Sequence, residues 1–143
     1  MRLLSILGYL LMVAGLAGLL ATHSLFSSSR VVLGLQAIAV ALMLWARITF
    51  GRRSFHAAAD PTEGGLVTTG PYRFIRHPIY TAVVLFTFAG AFARPSLLAT
   101  GCACAIFLGA LARIVLEERL LIARYPEYAG YAARTRRMLP YVF

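Results

Sequence analysis

The chain has 143 residues, of which 60% are hydrophobic and only 13% are charged, whereas roughly 25% of the residues in a typical soluble domain are charged. This balance argues against a soluble globular domain and indicates a protein surrounded by lipid. The net charge of +9 would suit nucleic-acid binding, but the basic residues flank apolar runs. We therefore interpret them as topology determinants and contacts to membrane lipids, and we expect no nucleic-acid partner.

Four stretches of the chain contain no charged residue, and each predicts a membrane-spanning helix. They are Leu3 to Thr22, Val31 to Ala46, Pro78 to Ala93 and Pro95 to Ala112. A spanning helix needs about 20 residues, with a lower limit of about 17. The second run can extend through Phe50 if Arg47 snorkels, and bilayer thinning or burial can absorb the short third run. The sequence therefore predicts an all-α, multi-pass integral membrane protein with about four transmembrane helices and a C-terminal cytoplasmic or interfacial helix.

We expect residues 1–143 to form a single membrane domain. Its predicted parts are two N-terminal spans (1–50), a cytoplasmic loop (51–77), a transmembrane hairpin (78–116), and a C-terminal helix and tail (117–143). Arginines concentrate in the middle loop and after the fourth span, so the positive-inside rule places these segments and both termini in the cytoplasm. The expected location is a bacterial inner membrane.

The two cysteines, Cys102 and Cys104, lie inside the fourth apolar run. Two positions apart on a helix, they point to different faces, which disfavours a disulfide between them. A metal site would need more ligands, and the three histidines are scattered along the chain, so we expect no metal. We interpret both cysteines as small packing residues.

A first cluster of polar residues runs from Gly70 to Tyr80, at the mouth of the third span. It contains two arginines, one histidine and two tyrosines. Pro71 and Pro78 stiffen the backbone, and a rigid loop at a membrane interface suits ligand positioning. An interfacial belt, with tyrosines at headgroup depth and arginines on lipid phosphates, would have the same composition.

A second cluster, Arg113, Glu117 and Glu118, follows the fourth apolar run. Arg113 and Glu117 are four residues apart and share a helix face, whereas Glu118 points about 100° away. Adjacent carboxylates near a membrane are costly unless they are paired or hydrated. They could bind ribose hydroxyls or an ammonium group, and an ordinary charged helix end is the alternative.

Together, the two clusters resemble the signature of the isoprenylcysteine carboxyl methyltransferases and their bacterial relatives, which include phospholipid methyltransferases. That signature is a Gly-Pro-Tyr-Arg turn and Arg-His-Pro-x-Tyr, followed by an arginine and a Glu-Glu pair. The later residues of the family pattern are Tyr125-Pro126-Glu127-Tyr128, Tyr131, Arg136-Arg137 and Pro140. The resemblance covers Leu66 to Pro140. Ala82 replaces a usual glycine, and Tyr125-Pro126 replaces a frequent Phe-Gly pair.

The resemblance implies methyl transfer from S-adenosylmethionine to a lipophilic acceptor that enters from the bilayer and reacts at the cytoplasmic face. The acceptor would be a carboxylate, such as an isoprenylcysteine-type acid, or a lipid amine or thiol. The implied catalytic residues are Arg76 and Arg113, which would orient carboxylates. The implied cofactor-binding residues are Gly70, Tyr72, His77, Pro78, Tyr80, Glu117 and Glu118. The implied substrate-binding residues are Tyr128, Tyr131 and Arg137.

Two other functions stay open on the sequence. Membrane sterol reductases look similar in the C-terminal region and use a nicotinamide cofactor, although they are longer. A non-catalytic membrane protein with a degenerate pocket is the second alternative, and the retained polar residues argue against it. The sequence does not choose among O-, N- and S-methylation, and it leaves the oligomeric state open.

Overall fold

The structure is a computed structural model that describes residues 2–51 and 65–140. Five α-helices and one 3-10 turn make up this part of the chain, with an isolated bridge as its only strand-like pairing. The α-helices are α1 (Arg2–Ala21), α2 (Arg30–Phe50), α3 (Pro78–Ala93), α4 (Leu97–Arg124) and α5 (Tyr128–Arg134), and the 3-10 turn is Gly70–Arg73. The predicted all-α class is confirmed.

Three of these helices, α1, α2 and α4, are long and apolar enough to cross a membrane, and α3 is a shorter apolar helix. Large apolar side chains cover their outward surfaces, including Leu10, Val31 and Leu98. A contiguous exposed apolar surface of this kind is rare on soluble proteins. The chain therefore has the surface of a membrane protein, as predicted.

The helix boundaries follow local sequence signals. Proline at the first helical position suits the start of α3 at Pro78. The Ser96 hydroxyl caps α4 by accepting a hydrogen bond from the Ala99 amide at 3.0 Å. Helix α4 continues without a break past residue 116 and ends at Arg124, two residues before Pro126. The second helix of the predicted hairpin and the start of the predicted C-terminal helix are thus parts of one continuous helix.

Helices α1 and α4 pack closely and antiparallel through small residues. A methyl group on Gly109 would lie 2.6 Å from the Gly8 carbonyl oxygen, and one on Gly15 would lie 2.7 Å from the Cys102 carbonyl oxygen. Small residues at such contacts let two membrane helices approach each other. Cys102 is half-buried here, Cys104 is exposed, and both are free thiols.

Helices α2 and α3 form the second close pair, and a buried amide connects them. The Gln36 side chain donates hydrogen bonds to the Leu25 carbonyl at 2.7 Å and to the Phe86 carbonyl at 3.4 Å. At the other end of α2, the Phe50 ring lies 5.5 Å from the Tyr72 ring. Helix α2 therefore supports the 3-10 turn that leads into α3.

Candidate active site

The first signature cluster begins at a turn that requires glycine. Gly70 has a φ of +56°, and a methyl group there would lie 2.5 Å from the Thr49 hydroxyl oxygen. Only glycine adopts this left-handed conformation at little cost. The turn therefore starts directly against the end of α2. Residues 52–64 of the predicted loop lie outside the described residues.

The segment after α5 pairs with the first cluster through backbone hydrogen bonds. Ile75 and Arg136 form an isolated parallel bridge. The Arg76 amide donates to the Arg136 carbonyl at 2.7 Å, and the His77 amide donates to the Arg137 carbonyl at 2.9 Å. This pairing fixes the backbone just before α3. Sequence reasoning missed it, because a short unpatterned tail gives no signal of its pairing partner.

Glu118 joins three parts of the chain. Its carboxylate accepts from Arg76 Nε at 2.8 Å and from Arg137 Nε at 2.9 Å, and it lies 3.3 Å from His77 Nε2. Arg76 also donates to the Thr135 carbonyl at 2.6 Å. The Glu118 side chain is only 9% exposed. This carboxylate therefore holds the first cluster and the C-terminal segment against α4.

Glu117 has different partners and is the more accessible acid, with 23% of its side chain exposed. One of its oxygens accepts from the Tyr80 hydroxyl at 2.5 Å and from Arg113 Nη2 at 3.3 Å. The other oxygen lies 3.8 Å from His77 Nδ1. The Tyr80 hydroxyl in turn accepts from Arg113 Nε at 2.6 Å. Glu117, Tyr80 and Arg113 thus form a closed triangle of hydrogen bonds between α3 and α4.

Arg113 is a buried cation, and α1 contributes to its surroundings. Its Nη1 donates to the Ser5 carbonyl at 3.3 Å. Its guanidinium carbon lies 5.6 Å from the centre of the Tyr9 ring and 5.9 Å from that of the Tyr80 ring. Charged residues within membrane helices are usually paired and functional. Sequence reasoning missed this contact, because Ser5 and Tyr9 lie in an apolar run that gives no signal of which face meets α4.

The other predicted tyrosines pack beneath this network. The Tyr131 hydroxyl donates to the Tyr72 carbonyl at 2.7 Å. Burial raises the pKa of Tyr131 to about 12 and also raises the pKa of Tyr72 and of Tyr128, so all three are neutral phenols. The Tyr128 hydroxyl is the one buried side-chain polar atom among the described residues that has no hydrogen-bond partner. Such an orphan is costly unless a ligand or water satisfies it.

The structure thus brings most of the predicted site residues to one end of the helix bundle. The hydrogen-bonded network contains Arg76, His77, Tyr80, Arg113, Glu117, Glu118 and Arg137. Gly70 and Tyr72 lie in the supporting turn, and Pro78 is fully buried at the start of α3. Within residues 2–51 and 65–140, no group of three or more His, Cys, Asp or Glu residues is arranged to hold a metal ion.

Both signature clusters fall within a match to a known protein family. The family model described as phospholipid methyltransferase matches residues 28–128. The chain belongs to the phospholipid methyltransferase family. The match runs from just before α2 to the first residue of α5 and includes both signature clusters. This family is of the isoprenylcysteine carboxyl methyltransferase type, so the predicted resemblance is confirmed.

Two curated relatives are similar to the chain over parts of their length. The cobalt-zinc-cadmium resistance protein CzcN of Cupriavidus metallidurans is 32% identical over 133 residues, which cover 87% of this chain and 58% of the relative. The nickel-cobalt-cadmium resistance protein NccN of Alcaligenes xylosoxydans xylosoxydans is 41% identical over 76 residues, or 52% of this chain and 36% of the relative. The chain thus spans less than two thirds of either relative. No solved structure matches it significantly.

Proposed function

We propose that the protein transfers a methyl group from S-adenosylmethionine to a lipophilic acceptor at the cytoplasmic face of a membrane. One observation carries the proposal: the two signature clusters, one leading into α3 and the other in the second half of α4, form a single hydrogen-bonded network. Membership of a methyltransferase family supports the reaction type. The apolar helices support an acceptor that reaches the site from the bilayer.

The residues at this end of the bundle fit the proposed cofactor chemically. Glu117 is a partly exposed carboxylate, which suits ribose hydroxyls or the cofactor's ammonium group. The unpartnered Tyr128 hydroxyl is a polar group that a ligand could satisfy. Tyr80 offers an electron-rich ring of the kind that attracts a cation. When bound, S-adenosylmethionine supplies an electrophilic methyl group on a positively charged sulfur.

We propose different roles for the two glutamates of the predicted cofactor site. Glu117 is the carboxylate that contacts the cofactor, because it is the more exposed of the pair. Glu118 is almost fully buried and contacts Arg76, His77 and Arg137, so its main role is to hold those side chains in place. Because displacement at a methyl group needs aligned reactants more than covalent help, this positioning is the chain's principal contribution to the rate.

Arg113 is the residue we place on the acceptor side. It lies four residues before Glu117 on α4, which is about 6 Å nearer the apolar part of the helix. A buried guanidinium at this depth would orient an acidic headgroup that arrives from the bilayer. Arg76 is the second candidate for orienting a carboxylate. An amine or thiol acceptor would also need a group that takes up its proton, and Glu117 and His77 are the candidates for that role.

The relatives' names describe resistance to metal ions, which raises metal binding as another activity for this chain. The described residues contain no cluster arranged to hold a metal, so no observation here favours that activity.

A nicotinamide-dependent reaction is the other alternative, and a binding experiment with NADPH distinguishes it from methyl transfer. We also propose that the protein lies in a bacterial inner membrane with both termini in the cytoplasm, which reporter fusions can test.

The test uses the full chain purified in detergent. Calorimetry should detect binding of S-adenosylhomocysteine, the demethylated product, and no binding of NADPH. Tritiated S-adenosylmethionine should label one of three probes: N-acetyl-S-farnesylcysteine, phosphatidylethanolamine or dodecanethiol, which represent a carboxylate, an amine and a thiol. Leu10→Ala, on the exposed face of α1, is the control and should behave like the wild type. Binding of NADPH with no binding of S-adenosylhomocysteine by folded protein would overturn the proposal.

A further inference from the structure

We infer that α1 is part of the active site, and that Tyr9, together with the Ser5 carbonyl, positions Arg113 for methyl transfer. The inference rests on the proposed function and extends the site beyond the residues matched by the family model, which begin at residue 28. Tyr9 and Ser5 lie in the first part of α1. Arg113 lies in the matched region, on α4.

The geometry around Arg113 shows how α1 acts on it. The guanidinium lies near two aromatic rings, with its central carbon 5.6 Å from the centre of the Tyr9 ring and 5.9 Å from that of the Tyr80 ring. Its Nη1 donates to the Ser5 carbonyl at 3.3 Å. Its Nε and Nη2 donate to Tyr80 and Glu117. Helix α1 therefore helps fix the orientation of the guanidinium plane. That orientation determines which of its N–H groups point toward the predicted site residues.

The surface of α1 is shaped for this contact. A methyl group on Gly8 would lie 3.2 Å from Arg113 Cγ and 3.1 Å from the Gly109 carbonyl oxygen. Glycine at position 8 thus leaves space for the arginine stem between the two helices. Ser5 is 1% exposed, whereas Tyr9 is 44% exposed, so Tyr9 is partly accessible although its ring lies near the cation.

A positioning role and a purely anchoring role for α1 predict different measurements. If α1 only anchors the bundle, loss of the Tyr9 ring reduces the amount of folded protein, and each folded molecule keeps its full rate. If Tyr9 positions Arg113, every folded molecule is slower. A cation–π contact of this kind corresponds to about a 2- to 30-fold change in rate.

The experiment compares Tyr9→Leu, Tyr9→Phe and the control Leu10→Ala in the full chain in detergent. Folded sites are counted by calorimetric titration with S-adenosylhomocysteine, and methyl transfer to the best of the three probes is expressed per counted site. Thermal midpoints are recorded in parallel. We expect Tyr9→Leu to lower kcat/KM for the probe by about 2- to 30-fold per site, with the S-adenosylhomocysteine affinity within about twofold of wild type. Tyr9→Phe, which keeps the ring face, should restore most of the rate.

Three results would overturn the inference. The first is a Tyr9→Leu protein with the wild-type rate per counted site, even if less protein folds. The second is a Tyr9→Phe protein as slow as Tyr9→Leu, because the contact uses the ring and not the hydroxyl. The third is a wild-type protein that binds S-adenosylhomocysteine and methylates no probe, or that does not bind it, because the proposed function then fails and the role of α1 falls with it. The first two leave the proposed function standing.

Discussion

Removing the charge of one of the two adjacent glutamates should mainly affect folding, whereas removing the charge of the other should mainly affect cofactor binding. Glu118 holds three basic side chains while being 9% exposed, whereas Glu117 is 23% exposed and contacts Tyr80 and Arg113. Glu118→Gln and Glu117→Gln remove the same charge with nearly the same shape, one residue apart. We expect Glu118→Gln to act mainly on stability and Glu117→Gln mainly on cofactor affinity.

The magnitude for Glu118→Gln follows from its partners. Removal of one member of a buried ion pair costs about 3–5 kcal/mol. Arg76 keeps its bond to the Thr135 carbonyl, which lowers that cost, and Arg137 is 40% exposed, so its pair contributes about 0–1 kcal/mol. We therefore expect a loss of about 2–4 kcal/mol in the free energy of unfolding.

Glu117→Gln should destabilise less, because Arg113 keeps its contacts to Tyr80 and to the Ser5 carbonyl. Glu117→Gln should weaken cofactor binding more than Glu118→Gln does. A hydrogen bond to a charged group contributes about 1.5–3 kcal/mol. The dissociation constant of S-adenosylhomocysteine should therefore rise by about 10- to 140-fold.

The assay combines unfolding in mixed micelles with calorimetric titration of S-adenosylhomocysteine, on both variants and the wild type. Affinities are compared only among samples that remain folded at the titration temperature. Equal destabilisation by the two variants would show that the greater burial of Glu118 does not make it the more important residue for stability. So would a Glu117→Gln protein that keeps wild-type affinity while a folded Glu118→Gln protein loses it.

Three further predictions concern topology, the cysteines and one buried hydroxyl. Reporter fusions after Arg53 and after Phe143 should both give cytoplasmic signals, and a periplasmic signal at either would contradict the topology. Replacement of Cys102 and Cys104 by alanine should keep methyl transfer within about tenfold of wild type, a barrier change of about 1.4 kcal/mol, and a larger loss would reveal a missed role. Tyr131→Phe should cost about 1 kcal/mol of unfolding free energy, because the backbone carbonyl of the 3-10 turn loses its donor; an unchanged value would contradict that contact.

The helices were the part of the fold that the sequence could predict. The absence of charge over Pro78 to Ala93 gives the bounds of α3 as the structure has them. The fourth uncharged run ends at Ala112, and the sequence predicted a hairpin to residue 116 followed by a separate C-terminal helix, whereas α4 continues unbroken to Arg124. The reason is that charged residues end an apolar run without ending a helix, and the first helix-breaking signal after the run is Pro126.

The convergence of the two signature clusters was also predictable, from the nearly equal lengths of the two runs that form the hairpin. Two features were not. The pairing of Ile75 with Arg136 depends on a tail that has no periodic pattern. The approach of Tyr9 to Arg113 depends on how α1 is rotated against α4, and hydropathy does not specify the rotation of a helix that is apolar on all sides.

The central claim is that the two clusters bind one cofactor, and a double-mutant cycle tests it most directly. The dissociation constant of S-adenosylhomocysteine is measured by calorimetry for the wild type, His77→Ala, Glu117→Ala and the double variant, with Leu10→Ala as control. We predict weaker binding in each single variant and losses that are non-additive by at least about 0.5 kcal/mol in the double variant, as for residues that share a ligand. Wild-type affinity in both folded single variants would contradict the shared site and, with it, the proposed function.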